Sequence, residues 1–504
     1  MGGFLKLSID QKECLSKIKM FLNRSGLNLT RRKDIQLPKF NFQDNVFAVL
    51  GHAGSGKTEL LRFLVQSLEK SNVLAANIDH ETKLTERARF YTVLAPTNKA
   101  VSVLKALGVK STTMHRVLYS PLYDPNYEKI SDWLQGISSK PVLNSFNEEK
   151  LNNIKRFFSN HPSIPGAFAS VGLRTSDFII GWKRRESPLD IGIVDESSML
   201  TQTHLKDLKE IFKVLILFGD PGQLSPIEHS GCMVFDDLPP EKKLSLTKIH
   251  RQLNDNPILQ VAKFLRDPTT SFREFDDFIK SLSKQDSRIS VSSRACPNLM
   301  CRSPILVWRN KTRVRLISAF REAHGIPNHI LKIGEPLICD GIELPNKYWK
   351  KRLDLEDRGL IKGAHFIYLG KGKRNGFCKL YIVGSSEPQV SVASIVQMER
   401  TDQVRPDILS AAGMGVVFVH GASTTIHKAQ GSQWEEVQVF SPDIAASANS
   451  GLLEAGIPLW KRLAYVAITR AQRKFVWVTD YKIARAKNSF KLSESASSEL
   501  KSIN

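Results

Sequence analysis

Acidic residues are scarce in this chain. Asp and Glu number 50 against 72 Lys and Arg, giving a net charge of +22 over 504 residues and a pI near 9.7. That deficit favours a polyanionic partner, either nucleic acid or an acidic membrane surface. Long apolar runs are also missing, and none approaches the ~18 residues that span a bilayer. One early lysine is followed by no secretory apolar core, so a cytoplasmic address (nucleoid or host-cell cytoplasm) without a membrane partner is expected. Cysteines are few. Cys14, Cys232, Cys296, Cys301, Cys339 and Cys378 are scattered without the pairing of a disulfide framework. Cys296 and Cys301 have a loose metal-like spacing but no second pair nearby, so free thiols are expected.

What is present suits an ordinary globular protein, with 41% apolar and 24% charged residues and room for about two to four domains. The most informative stretch is GHAGSGKT at 51–58. An apolar run at 46–50 reads as a buried parallel strand. Leu60, Leu61, Phe63, Leu64 and Leu68 are spaced as the buried face of a helix. Strand, Gly-rich loop and helix are the setting of a phosphate-binding P-loop. Gly51, Gly54 and Gly56 permit the tight loop whose N–H groups face phosphate oxygens, Lys57 reaches the β- and γ-phosphates, and the Thr58 hydroxyl holds Mg²⁺.

Other segments join it. LDIGIVDESSML predicts a central strand that delivers Asp195 and Glu196, one to hold Mg²⁺ and one to polarise the attacking water. A strand over 214–218 ends in GDPGQLSPI, where Asp220 and Gln223 stand and an amide could sense the γ-phosphate. Arg251 in LSLTKIHRQ is a candidate arginine finger between two α/β units. Near the N-terminus, LSIDQ opens a helix over 4–22, capped by Ser8 or Asp10, with Ile9, Cys14, Ile18 and Phe21 as its apolar face. Gln11 sits just inside it, where its amide could pair with an adenine edge. The basic stretch 23–40 reads as a surface loop.

A strand over 90–94 ends in Pro96, Thr97, Asn98 and Lys99, groups suited to a phosphodiester backbone at the carboxyl end of a sheet. STTMHRVL adds Thr112, Thr113 and His115. Residues 119–186 break the α/β rhythm with aromatics and prolines, reading as an inserted subdomain whose aromatics form a small core rather than a base-stacking platform. A second α/β unit opens near SPILVWRNKTRVRL, with Asn310 after its strand. Residues 331–410 carry short strands joined by the hairpin signal KGKRNG, a small β-barrel-like insertion. The α/β unit is expected to resume at 416–419, followed by Thr424, Thr425, His427 and Gly431 in GASTTIHKAQGSQ. A helix bearing Arg462, Tyr465 and Arg470 then leads to a strand over 475–478 and a Ser- and Lys-rich tail, 486–504.

The ordered series GHAGSGKT, LAPTNKA, TTMHRVL, IVDESSM, GDPGQLSP, IHRQ, STTIHKAQGSQ and YVAITRA resembles the motifs of superfamily 1 helicases, nearest to the RecD/Dda-like branch. The resemblance implies an α/β fold of two RecA-like P-loop NTPase motor domains in tandem, 1–118 with 187–250 and 251–330 with 411–485. The first carries the 119–186 subdomain, a possible strand-separation element, and the second an SH3-like barrel at 331–410. It implies an ATP- and Mg²⁺-dependent DNA helicase moving 5′→3′ on single-stranded DNA and opening forked or tailed duplexes in replication, recombination or repair, with replication or recombination proteins as candidate partners. By position, Gln11 resembles the adenine-reading glutamine. Gly51, Gly54, Gly56, Lys57 and Thr58 match the triphosphate loop, and Asp195 and Glu196 the metal-binding and water-activating acids. Gln223 matches the γ-phosphate sensor, and Arg251 and Arg470 the two arginine fingers. Gly431 falls in a nucleotide-contacting segment. Pro96, Thr97, Asn98, His115, Asn310, Thr424, Thr425 and His427 fall in segments that track single-stranded DNA. Gln433 stands where many relatives carry a ribose-binding carboxylate. The alternatives are an ATP-switched nucleic-acid clamp or non-motor subunit of a repair complex, and an RNA helicase.

Overall fold

The computed structural model describes all residues except 1–6, 26–44, 77–88, 144–146, 161, 163, 172, 174–178, 185–188, 227–230, 248–255, 344–351, 353, 357, 384–387, 402–405, 413–414 and 485–504. Arg251, most of the basic stretch 23–40 and the tail 486–504 therefore lie outside the described residues.

The first α/β lobe is built on strands β1 (Val46–Gly51), β2 (Val73–Ala75), β3 (Arg89–Ala95) and β4 (Ser111–Thr113). The chain continues through β5 (Tyr119–Tyr123), β6 (Ile179–Arg184), β7 (Leu189–Val194), β8 (Phe212–Gly219) and β9 (Lys243–Leu246). The main sheet is parallel, in the order β2-β3-β7-β8-β1-β9 with β4 beside β3. Its strands are buried on both faces because helices cover both, which is why they read as continuous apolar runs. Along β1, alternate residues enter opposite layers. Phe47 and Val49 pack with Cys14, Ile18, Leu22, Leu60 and Leu64, while Val46 and Ala48 pack with Leu205, Leu208 and Phe235.

The first helix is Ile9–Arg24, with Ser8 as its cap in a reciprocal pair with Gln11. It buries Gln11, Cys14, Ile18 and Leu22. Ile9, expected on the apolar face, is instead exposed, because five residues before Cys14 it lies about 140° around the helix from it. The P-loop helix Lys57–Lys70 buries Leu60, Leu61, Leu64, Val65 and Leu68 and leaves Phe63 partly exposed.

Between β5 and β6, which pair antiparallel, three helices (Pro125–Leu134, Glu148–Asn160 and Ile164–Ala169) form a body with a core of its own. Tyr127 stacks on Phe168 at 5.3 Å inside that core, and Trp133, Phe157 and Phe158 pack against it. Those aromatics serve packing.

The second lobe takes β10 (Ile289–Ala295) and β11 (Ile305–Val307) before the chain leaves for another sheet. That sheet holds β12 (Pro336–Glu343), β13 (His365–Lys371), β14 (Phe377–Ile382), β15 (Gln389–Met398), β16 (Asp407–Ala411) and β17 (Gly415–His420). The chain returns through β18 (Ser423–Thr425), β19 (Trp434–Phe440), the two-stranded ribbon of β20 (Leu453–Glu454) and β21 (Ile457–Pro458), and β22 (Ala471–Ile483). The lobe's sheet is parallel in the order β10-β22-β19-β11-β18. In the insertion, β12 pairs β13, β13 pairs β14, β14 pairs β15, β15 pairs β17 and β17 returns to β12. Five strands thus close into a ring around Leu337, Phe366, Leu380, Val396 and Phe418, which leaves no open edge on those strands.

One strand changes allegiance. Residues 416–419, expected to resume the second α/β unit, lie in β17 and complete the ring instead. A short continuous apolar run suits a strand of an open parallel sheet and a strand of a closed ring equally well, and only pairing separates the two.

Candidate functional site

The loop after β1 makes the tight turn its glycines predict. Gly54 and Gly56 adopt φ of 83° and 78°, in the left-handed region that a side chain would disfavour. The helix then starts at Lys57, with Thr58 second, so the first-turn N–H groups open into the loop. Lys57 Nζ donates to the carbonyl of Gly51 and to that of His52 at 3.3 Å, and lies 3.8 Å from Asp220. Gln11 is not free to face a base. Its Oε1 accepts from the Ser8 N–H at 3.0 Å and its Nε2 donates to the Gly56 carbonyl at 3.1 Å. In this arrangement it braces the P-loop.

β7 delivers Asp195 and Glu196 beside the loop. Asp195 is buried and accepts from the Glu196 N–H at 3.0 Å. Burial, then the charge of Glu196, push its carboxyl up to about 7, against a smaller pull from Lys57. Glu196 has φ of 53°, a strained value for a residue with a side chain and one often found where geometry serves function. Gln223 Nε2 donates to Glu196 Oε2 at 2.9 Å, so the expected γ-phosphate sensor and the expected base touch directly. Among the described residues, the buried atoms Ser55 Oγ, Ser197 Oγ and Gln223 Oε1 find no hydrogen-bond partner. A crowded buried carboxylate beside a hydroxyl-bearing loop is the donor set that a hard divalent cation suits.

Asp220 is the hub of this site. Burial would raise its pKa, but Lys57 and then His52 outweigh that and hold it down at about 2. Its carboxylate lies 3.4 Å from His52 Nδ1 and accepts from the Gly222 N–H at 2.9 Å. It also accepts from the hydroxyl of Tyr465, 2.9 Å away on the second-lobe helix Leu459–Thr469. The same hydroxyl accepts from the P-loop Ala53 N–H at 2.8 Å. From that helix Arg462 Nη1 donates to the carbonyls of Gln223, at 2.5 Å, and Pro221, at 3.4 Å. Gln430 Nε2 reaches the Leu224 carbonyl at 3.2 Å, and Ser225 Oγ donates to Glu454 Oε2 at 2.9 Å. The segment 220–225 is therefore gripped from across the cleft.

Arg470 is not brought to the P-loop. It is buried in its own lobe, donating to the Val466 carbonyl at 3.1 Å and the Ser432 carbonyl at 3.2 Å. Gly431 meets the first lobe elsewhere. A Cβ there would come within 2.9 Å of Thr97 Oγ1, so only glycine permits this approach.

Thr97 caps the helix Asn98–Ala106, accepting from the Ala100 N–H at 3.2 Å. Pro96, Thr97 and Asn98 follow β3, whose neighbour β4 carries Thr112 and Thr113 opposite Leu94 and Ala95. His115 follows and sets its ring edge-on to His204 at 5.3 Å. In the second lobe, Thr424 and Thr425 lie on β18 opposite Leu306 and Val307, just before Asn310. Asn310 Oδ1 accepts from Arg313 Nε at 2.7 Å. Fully buried Asp443 fixes the loop before Asn310 by accepting from the N–H groups of Trp308 and Arg309, the Arg309 guanidinium and Thr312 Oγ1. His427 is half-buried near the same strand ends.

The sequence places Asp220 at a strand end beside the P-loop without giving it a role, and gives none to Tyr465, Arg462 or Asp443. A signal existed for two of these last three. Every residue of the helix Leu459–Thr469 is buried, and an Arg and a Tyr on such a helix must find polar partners.

A P-loop, a paired acid and a facing helix from a second parallel lobe define an ATP-hydrolysing two-lobed motor. The AAA domain family matches residues 40–287 and the UvrD-like helicase C-terminal domain family matches residues 420–478. With the motif series in that order, the chain is a superfamily 1 helicase of RecD-like type, an ATP-dependent DNA helicase. Among solved structures it is similar to Pif1 helicase from Candida albicans, at 15% identity and a TM-score of 0.48 over 99% of this chain and 100% of that one. It is also similar to Pif1 helicase from Bacteroides in complex with ADP-AlF3 and single-stranded DNA, at 16% identity and a TM-score of 0.45 over 99% and 97%. No curated protein matches the chain. No helix among the described residues is long and apolar enough to cross a membrane.

Proposed function

We propose that the chain translocates 5′→3′ on single-stranded DNA and opens forked or tailed duplexes. The observation that carries this reading is the cleft itself. P-loop, acid pair and segment 220–225 belong to one lobe, while the groups that grip that segment belong to the other. Closing and reopening such a cleft around ATP converts hydrolysis into relative motion of the lobes.

In this reading Gly51, Gly54, Gly56 and Lys57 bind the triphosphate. Thr58 and Asp195 hold Mg²⁺, which when bound offsets the phosphate charge, and Glu196 takes the proton of the attacking water while Gln223 orients it. Arg251 and Arg470 supply positive charge to the γ-phosphate. Arg470 must exchange the carbonyls of Val466 and Ser432 for it during closure. Gln11 turns from Gly56 to the adenine, and Gly431 moves with the closing lobe. Pro96, Thr97, Asn98, His115, Asn310, Thr424, Thr425 and His427 contact the strand at the carboxyl ends of β3 and β11 and beside β18, where open α/β sheets place ligands. The body 119–186 separates strands. Polarity rests on the motif resemblance.

The test compares duplexes carrying a 5′ or a 3′ single-stranded tail, in DNA and in RNA, with ATP and Mg²⁺. Unwinding of the 5′-tailed DNA duplex is expected. Unwinding only from 3′ tails overturns the polarity. Preference for RNA makes the chain an RNA helicase, and ATP hydrolysis without unwinding on any tail makes it an ATP-switched clamp.

A further inference from the structure

We propose that Tyr465 is a positioning residue for ATP hydrolysis, its hydroxyl relaying the placement of the second lobe to the acid pair. The inference rests on the motor reading above. The hydroxyl is held at both ends by first-lobe groups, accepting from the Ala53 N–H at 2.8 Å and donating to Asp220 at 2.9 Å. These partners lie 412 and 245 residues from it in sequence, so the bonds join parts that meet only across the cleft. The ring lies against Gly222, where an added Cβ would be 3.0 Å from Cε1. Tyr465 is buried, and burial with the adjacent Asp220 charge keeps the hydroxyl protonated and able to donate.

The consequence follows bond by bond. Asp220 begins the turn that holds Gln223, whose N–H donates back to the Asp220 carbonyl at 3.2 Å. Gln223 in turn holds Glu196. The carbonyl of Gln223 is held by Arg462, one helical turn before Tyr465. A shift of the helix Leu459–Thr469 moves both grips together, because the helix is buried on every side and moves as a unit. The geometry of Glu196 toward its water therefore depends on where the second lobe stands. That lobe also carries the strand-end segments after β11 and at β18, so strand engagement reaches the hydrolytic acid through Tyr465.

The experiment uses the full chain and Tyr465→Phe, which keeps the ring and removes only the hydroxyl. ATP turnover is measured with and without oligothymidylate, along with oligothymidylate affinity and the melting temperature. Strand-stimulated kcat is expected to fall about tenfold or more, while KM for ATP and strand affinity stay within about threefold. Stimulated kcat within about twofold of wild type overturns the proposal. So does a lowered KM at unchanged kcat, which would make the hydroxyl a mere competitor for phosphate. Asp220→Asn alone and combined with Tyr465→Phe completes a cycle that holds even if one variant loses stability. A double variant no slower than the slower single supports the shared bond, and losses that multiply overturn it. A wild-type ATPase that strand does not stimulate overturns the motor reading, whereas a stimulated wild type matched by Tyr465→Phe overturns only this role.

Discussion

At the scale of single residues, two buried aspartates of one cleft are driven in opposite directions. Asp195 is pushed up to about 7 by burial and then by the charge of Glu196, whereas Asp220, though burial would raise it, is held at about 2 by Lys57 and His52. The sign of each contribution to stability follows. The raised group stabilises the fold fully below its unfolded pKa of 3.8, and that contribution is lost as pH rises through about 7. The lowered group contributes above 3.8, and its contribution is lost as pH falls through about 2. Asp195→Asn should therefore raise the melting temperature of nucleotide-free protein at pH 8 by more than at pH 5, while hydrolysis is lost. An equal shift at both pH values would contradict the burial of an uncompensated charge. The types of these residues were legible, since acids at strand ends beside a P-loop announce a phosphate site. Their opposite charge behaviour was not, because it depends on which cations the folded chain brings near each.

Elements show where local pattern stops being informative. The strand of Gly415–His420 has the apolar run of a motor-domain strand, yet β12 and β15 capture it for the ring. Buried polar groups tie that ring to the lobe. Glu335, fully buried, lies 3.3 Å from Arg321 and 3.2 Å from His420, and Arg321 also donates to the carbonyls of Pro327 and Ile330. His365 packs edge-on against Trp434 at 5.3 Å, and burial, with Lys99 nearby, lowers its pKa to about 3, so it stays neutral at physiological pH. Asp443 does comparable work for the loop before Asn310. It stands in the first turn of the helix Ser441–Ser450, where a carboxylate is favoured. Asp443→Ala would leave two N–H groups and the Thr312 hydroxyl short of an acceptor. The expected loss is roughly 2–4 kcal/mol in denaturant unfolding, with weaker single-strand binding. A loss below about 0.5 kcal/mol would mean that water replaces the carboxylate without penalty.

For the molecule as a whole, the net charge of +22 sets the expected behaviour toward a strand. If about five phosphates are neutralised, affinity for single-stranded DNA should fall about 100-fold between 50 and 200 mM salt, linearly on logarithmic axes. A change below about threefold would show that charge does not drive binding. The sequence by itself determined the class of fold and the residue types that meet at the candidate nucleotide site. A strand, a glycine-rich loop, a helix and a pair of acids each need only a few neighbouring residues, and their order along the chain implied two α/β lobes. Tertiary structure alone decided which groups meet. It turned Gln11 onto Gly56, kept Arg470 within its own lobe and gave β17 to the ring. It also set Tyr465 between Ala53 and Asp220. The physical reason is that hydrogen bonding and burial act through space, and partners 245 or 412 residues apart leave no local periodicity by which one can be read from the other.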